Sequence, residues 1–429
     1  MRLIVNMAAM VGAVWVLWMA YTLVAPERED ELPSNLVGQP LESVSGIVDV
    51  IAQYFGVPVS TNSQVEPLFN GDQFFPPMLE AIHSAEDSID FLTFIYWTGD
   101  IADEFAEALA EAAKRGVTVR VILDGFGSFD IKDGLVQLMQ SAGVEVAWYH
   151  PLQWYDIRRL NKRTHRKTLI IDREIGFTGG AGIAAEWTGT ASKASEWRDN
   201  HFRITGSAVQ DLETAFAQNW LSASGEMLVY EQEIDSSLSP PDEQTPTERL
   251  LTLSTSPQDG ISSIALVYWT AITSATQRVD ISTPYFLPDL SLKQTMIDAA
   301  NNGLDIRLLL PGEHNDSVLI RTASVAYYKE LLEAGVRIFE FQTSMMHTKL
   351  MLLDDDVSIF GSANFDNRSF SLNSETILIS DSQPLFQQLH DKFEKDLEEA
   401  TEITLESDVL PSGIDWLLSQ AALLLREQL

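Results

Sequence analysis

The sequence contains no cysteine. Disulfides and thiolate-ligated metals are therefore excluded, and the redox compartment is left undetermined. Positive charge is also scarce: 28 Lys and Arg stand against 62 Asp and Glu, a net charge of −34. A field of that sign repels phosphate backbones, which argues against non-specific nucleic-acid binding and against loose electrostatic adsorption to an anionic bilayer. Solubility in a salty medium is the plain reading of such acidity. Histidine is rare, at seven residues, so any repeated placement of it carries information. The apolar fraction of 45% is ample for large cores, and the length suits two or three domains.

Only one long uncharged apolar run is present, Leu3 to Ala25. At about 1.5 Å per helical residue it crosses a hydrocarbon core of about 30 Å. The alternative is a cleaved signal peptide, but Leu23-Val24-Ala25 is a poor cleavage site, so an uncleaved anchor is expected. Arg2 precedes the run, and Glu27, Glu29, Asp30 and Glu31 follow it. The positive-inside rule then keeps the amino terminus cytoplasmic and places the large body on the outer side.

Two stretches carry the chemistry. One is His347-Thr348-Lys349 with Asp354, followed by Gly361-Ser362-Ala363-Asn364; the other is His165-Arg166-Lys167 with Asp172, followed by Gly179-Gly180. A His and a Lys two positions apart share one face of a strand. The glycines permit a tight turn that brings backbone close to a ligand. One imidazole, one ammonium and one amide aimed together suit an anionic phosphoryl group. A lone His-x-Lys is nearly worthless as a signal, but two copies with matching Asp and Gly offsets are not a chance occurrence.

The rest of the chain repeats in the same way. Residues 26–65 are turn-rich and read as a linker, with a first domain over 66–224. Phe75 to Ser84 reads as helix, Ile89 to Trp97 as buried strand, Asp100 to Lys114 as amphipathic helix closed by Gly116, and Val117 to Leu123 as strand. This alternation indicates parallel α/β units. Ala271 to Ala275 echoes Ala81 to Ala85, and Asn302-Gly303-Leu304 echoes Arg115-Gly116-Val117. The two histidines lie 347 − 165 = 182 residues apart, close to the offsets of those echoes. The pattern is an internal duplication. Residues 225–260 form the seam, 261–410 the second domain and 411–429 a carboxyl-terminal amphipathic helix. That helix either docks on the domain or lies in a membrane interface. The cluster Arg158, Arg159, Lys162, Arg163 and Arg166 is either a solvated loop or a patch for lipid head groups or a polynucleotide.

The doubled His-x-Lys-x4-Asp pattern with Gly361-Ser362-Ala363-Asn364 resembles the phospholipase D superfamily. The stretch Phe365 to Glu375, together with Trp197-Arg198-Asp199-Asn200-His201, is similar to its bacterial cardiolipin synthase branch. The similarity runs from about residue 69 to 405. It implies an α/β fold of two similar α-β-α sandwich domains sharing one active-site cleft, here behind an amino-terminal transmembrane helix. Related synthases often carry two such spans, and this sequence shows one. A second departure is Gly182, which stands where the second motif has Asn364.

The resemblance further implies that His165 attacks phosphorus to form a phosphohistidine while His347 protonates the leaving alkoxide and then deprotonates the acceptor. Lys167 and Lys349 would hold the non-bridging oxygens, with Asn364 and Ser362 at the substrate. Glu375 and Asp199 would orient the imidazoles. Asp172 and Asp354 complete the two motifs among the catalytic candidates, although their strand-end positions point to a structural task. No metal and no cofactor is implied, because two ammoniums supply the positive charge. The implied substrate is a phospholipid, phosphatidylglycerol, at a bacterial cell membrane; no nucleic-acid partner is expected, and oligomeric state is open. The competing functions are a phospholipase D that passes the group to water, a nuclease, and a lipid-binding scaffold with a dead site.

Overall fold

Residues 88–124 show how the chain builds each half. Strand β2 (Ser88–Thr93) is buried almost throughout and runs parallel to β3 (Thr118–Asp124). Helix α3 (Asp100–Arg115) connects them, as a parallel pair requires. Asp100 and Asp103 lie in its first turn and Lys114 and Arg115 in its last, which suits the helix dipole. Ile101, Phe105 and Leu109 form its buried stripe; full burial of Phe105 contributes about 1.5–3 kcal/mol. Gly116 closes the helix at φ 101°.

This computed structural model describes residues 41, 44–151, 161–230, 248–256 and 262–428, together with Trp15. The apolar run 3–25 lies outside these residues apart from Trp15, as do Arg158 and Arg159. Among the described residues no helix is long and apolar enough to cross a membrane.

The first half contains α1 (Ile47–Phe55), β1 (Val59–Phe69), α2 (Gly71–Ser84), the β2-α3-β3 unit, α4 (Asp133–Ala142) and β4 (Glu145–Tyr149). It continues with β5 (Arg163–Thr164), β6 (Thr168–Ile171), β7 (Ile175–Gly179), β8 (Asn200–Gly206) and α5 (Ala208–Ser224). The second half opens with β9 (Glu248–Thr255), α6 (Ser263–Ser274), β10 (Arg278–Ser282), β11 (Phe286–Leu287), α7 (Leu290–Asn301) and β12 (Asp305–Pro311). Then come α8 (Val318–Glu333), β13 (Arg337–Phe341), β14 (Leu350–Leu353), β15 (Val357–Gly361), β16 (Phe365–Asp366) and β17 (Asn373–Ser380). Helix α9 (Gln383–Glu398), β18 (Ala400–Ile403) and α10 (Gly413–Leu423) complete the chain.

Among the described residues one sheet runs through both halves in the order β18-β13-β12-β10-β14-β15-β17-β9-β1-β8-β7-β6-β2-β3-β4. Read outward from the central β9–β1 pair, the order on one side repeats the order on the other, except that β18 at one edge has no counterpart. That pair is antiparallel, with Val59 opposite Leu251 and Ser60 opposite Leu250. The duplication in sequence is thus an approximate two-fold relation in space. Separate apolar clusters fill the outer layer of each half. A third, with Ile170, Phe202, Leu352 and Leu378, joins the halves beneath the sheet.

Two boundaries read from the sequence change. The stretch 26–65 does not serve as linker throughout, because α1 and most of β1 fall within it. Ile47, Val48 and Ile51 are buried against second-half residues such as Ile264 and Leu251. Likewise β9 lies inside the 225–260 seam yet is central to the sheet. Both strands mix polar and apolar positions, which made them read as connections.

Candidate active site

The two histidines are placed by backbone before any side chain is considered. Strand β5 pairs in parallel with β17, Thr164 opposite Ser374, and the His165 N–H donates to the Ser374 carbonyl at 2.9 Å. In the other half Met346 bridges Arg198, and the His347 N–H donates to the Arg198 carbonyl at 2.7 Å. Each histidine is therefore strapped to the residue immediately before the acid of the opposite half. The side chains follow. His165 Nδ1 lies 2.9 Å from Glu375 Oε1, and His347 Nδ1 lies 2.6 Å from Asp199 Oδ2. Counting forward along the chain associates Asp199 with His165 and Glu375 with His347; the fold exchanges them.

The electrostatics assign the protons. Burial opposes ionisation of Glu375, but His165 and Lys167 outweigh it and hold the carboxyl below its usual range. Burial likewise opposes Asp199, yet Lys349 and His347 take it down to about 2. Both acids are ionised and can only accept, so each Nδ1 carries the donated hydrogen. Burial pushes His165 down to about 4 against the pull of Glu375. Burial and then the Lys349 charge push His347 to about 3. At neutral pH both imidazoles are uncharged, and each Nε2 presents a lone pair.

The lysines complete one cluster. Lys167 Nζ donates to the His165 carbonyl at 2.7 Å, and Lys349 Nζ to the His347 carbonyl at 2.5 Å. Burial lowers Lys167 to about 7 and Lys349 to about 8. The charge of Lys349 acts on His165, and that of Lys167 acts on His347. Residues 182 positions apart in sequence thus share one electrostatic site.

The carboxylates are held by Ser362, which the sequence reading placed at the substrate, and by two residues to which it gave no role. Ser362 Oγ donates to Glu375 at 2.5 Å and Ser369 Oγ at 2.9 Å. On the other side Trp187 Nε1 donates to Asp199 at 2.9 Å. Trp187 occupies the position equivalent to Ser369, since 369 − 187 = 182, so a duplicated site uses an indole where its twin uses a hydroxyl. The equivalent of Ser362 is Gly180. A Cβ there would lie 2.2 Å from Asp199 Oδ1, so the glycine leaves the space that the shorter acid occupies. The equivalent of Asn364 is Gly182, where a Cβ would lie 2.8 Å from Ile95 Cβ. Ile95 fills the volume an Asn would need, and the site is asymmetric. Asn364 itself is buried, its N–H bonded to Ser369 Oγ, and its side-chain oxygen has no protein partner.

Aromatic rings wall the cluster. Phe94 meets His165 edge-on at 5.0 Å, while Trp187 and Trp197 lie 5.2 and 5.1 Å from His347. The histidines are 7% and 4% exposed, so little water reaches them.

Asp172 and Asp354 do not join the cluster. Asp172 accepts the backbone N–H groups of Glu86, Asp87 and Ser88. Asp354 accepts those of Thr276, Gln277 and Arg278. Each ties the turn before a parallel strand to the end of its own strand, at φ 51° in both copies. Within the basic cluster, Arg163 and Arg166 are buried and bonded rather than solvated. Arg163 bonds Asp124 and the His150 carbonyl, and buried Arg166 bonds the carbonyls of Glu375, Ala215 and Thr255.

A continuous α/β sheet of two like halves, with two His–Lys pairs meeting at its seam, defines the phospholipase D-like class. The family model for the cardiolipin synthase, phospholipase D-like domain matches residues 78–220 and 268–397. The cardiolipin synthase 1 of Bacillus cereus is 34% identical over 366 residues, covering 84% of this chain and 72% of that one. The cardiolipin synthase A of Pseudomonas fluorescens is 33% identical over 356 residues, covering 82% and 72%. A phosphatidylserine synthase of Haemophilus influenzae superposes with a TM-score of 0.67 at 15% identity, over 89% of this chain and all of that one, a likeness of fold. The chain belongs to the cardiolipin synthase family of phospholipase D-like proteins.

Proposed function

We propose that the protein is a phosphatidyltransferase that moves a phosphatidyl group from one phosphatidylglycerol to the hydroxyl of another, forming cardiolipin and releasing glycerol. The observation that carries this reading is the crossed pairing of two uncharged imidazoles with two carboxylates, set between two buried ammoniums. His165 Nε2 attacks phosphorus and the bond to glycerol breaks. His347 takes up a proton from solvent at Nε2 as the anionic substrate binds, and passes it to the departing alkoxide. The bound phosphodiester anion and the ionised Asp199 raise its proton affinity for that step. In the second step neutral His347 takes the proton of the incoming hydroxyl, and the phosphorus–nitrogen bond breaks. Lys167 and Lys349 neutralise the non-bridging oxygens, with Asn364 donating its amide hydrogen.

The aromatic wall and the low exposure of both histidines favour an alcohol acceptor over water. In this reading the run 3–25 anchors the chain in a bacterial cell membrane with its body on the outer side. The relatives named cardiolipin synthase support the substrate.

The test is incubation of the purified full chain with phosphatidylglycerol vesicles. Cardiolipin and glycerol in equal amounts are expected. Phosphatidic acid alone would establish hydrolysis instead, and cleavage of an oligonucleotide without lipid turnover would overturn the reading.

A further inference from the structure

The approximate two-fold relation has a consequence outside the cleft. The loop after β3 carries Phe126 and Phe129, which are 54% and 62% exposed. The corresponding loop after β12 leads into Val318 and Leu319, which are 78% and 44% exposed. Both loops adjoin the site. Ser128 Oγ donates to the carbonyl of Phe94, the ring against His165. Asp316 accepts from Tyr285, and its charge acts on Lys349. An exposed apolar pair thus flanks the cluster in each half.

Helix α10 extends the second pair. It is seated through Ser419 and Ala422, two of its small residues, while Ile414, Trp416, Leu417 and Leu418 face outward at 50–74% exposure. This reverses the usual amphipathic arrangement, in which the large residues dock. Leu418 and Val318 line one groove, which makes the helix continuous with the rim.

We infer that this rim and the outer face of α10 form a bilayer-docking surface that seats the His–Lys cluster at the lipid interface. The inference rests on the phosphatidyltransferase reading for why the face lies beside the cluster. Contiguous exposed apolar surface beside a site for an amphiphile marks an interaction face. A net charge of −34 argues against adsorption by charge and favours insertion of apolar side chains. Tryptophan and bulky aliphatics on an exposed helix are the residues that enter such an interface.

The absence of cysteine makes the test clean, because one introduced thiol takes one label. Phe129→Cys, Leu417→Cys and, as a control at an exposed position of α3, Glu111→Cys are spin-labelled in the full chain. Each is reconstituted into vesicles of phosphatidylethanolamine and phosphatidylglycerol. Labels at 129 and 417 are expected to be relaxed more by oxygen and less by a water-soluble nickel complex than the label at 111. Equal nickel accessibility at all three would overturn the inference. So would nickel protection at 129 and 417 accompanied by dipolar broadening and without oxygen enhancement, which marks a second copy on the face. These readouts do not depend on turnover, so failure of the functional reading is separately visible.

Discussion

His165 in the first half is hydrogen-bonded to Glu375 in the second, 210 residues further along the chain, at 2.9 Å. The pair has a counterpart in His347 and Asp199, so each pair takes its histidine from one half and its acid from the other. Glu375→Gln should leave His165 free to adopt either tautomer. Transfer is expected to fall by about a hundredfold or more, in the range of a lost acid–base group. Asp199→Asn should do the same through His347. Comparing single-turnover rates tests the crossing: Glu375→Gln should slow phosphoenzyme formation. Asp199→Asn should slow departure of the leaving alkoxide and activation of the acceptor.

The protonation states set a pH dependence with a definite sign. Unfolded, each active-site histidine takes a proton near 6.5; folded, His165 does so near 4 and His347 near 3. Their contribution to stability is full above 6.5 and is lost as pH falls from there towards 4. Lys167 and Lys349 release protons near 7 and 8 rather than 10.5, so the unfolded state binds more protons between those values and their contribution rises with pH. Urea melts across pH 4–10 should show both slopes, and His165→Ala should flatten the acid one. Activity should fall above about pH 7 as the ammoniums discharge, Lys167 first; Lys167→Arg, if active, should extend that limb to higher pH.

Gly180→Ala places a methyl 2.2 Å from Asp199 Oδ1. The carboxylate must shift away from His347, with an overpacking cost of about 1–3 kcal/mol. Turnover should drop by more than tenfold while Ser362→Ala, which removes one of two hydroxyl donors to Glu375, costs less. Steady-state rates alongside thermal melts separate the two effects.

Asp172→Asn addresses the motif member that stands apart from the site. Weakening three backbone acceptor bonds should lower stability by about 1–3 kcal/mol and leave kcat within a fewfold of wild type. A large loss of kcat in a folded Asp172→Asn protein would return this residue to the chemistry.

The duplication, the strand–helix alternation and the His–Lys pairs were legible because each is a local pattern repeated at a nearly fixed offset. The exchange of acids was not. Spacing locates Asp199 and Glu375 but not which histidine each reaches, and that is decided by the β5–β17 pairing and the Arg198–Met346 bridge. Strands β1 and β9 were hidden because Val59–Phe69 and Glu248–Thr255 mix polar and apolar residues. Their burial comes from each other and from flanking strands, a long-range property. Trp187 was hidden because a tryptophan signals core packing; only its offset of 182 from Ser369 gave it away, and that offset means nothing until Ser369 is seen to bind Glu375.

The central claim is that imidazoles from both halves act on a single phosphorus atom. Acid-labile, base-stable phosphoenzyme should be trapped from phosphatidylglycerol labelled at phosphorus, and peptide mapping should place the label on His165. The adduct should be absent from His165→Ala and slow to form and to discharge in His347→Ala. Full transfer activity in either folded variant, or label on no histidine, would contradict the account.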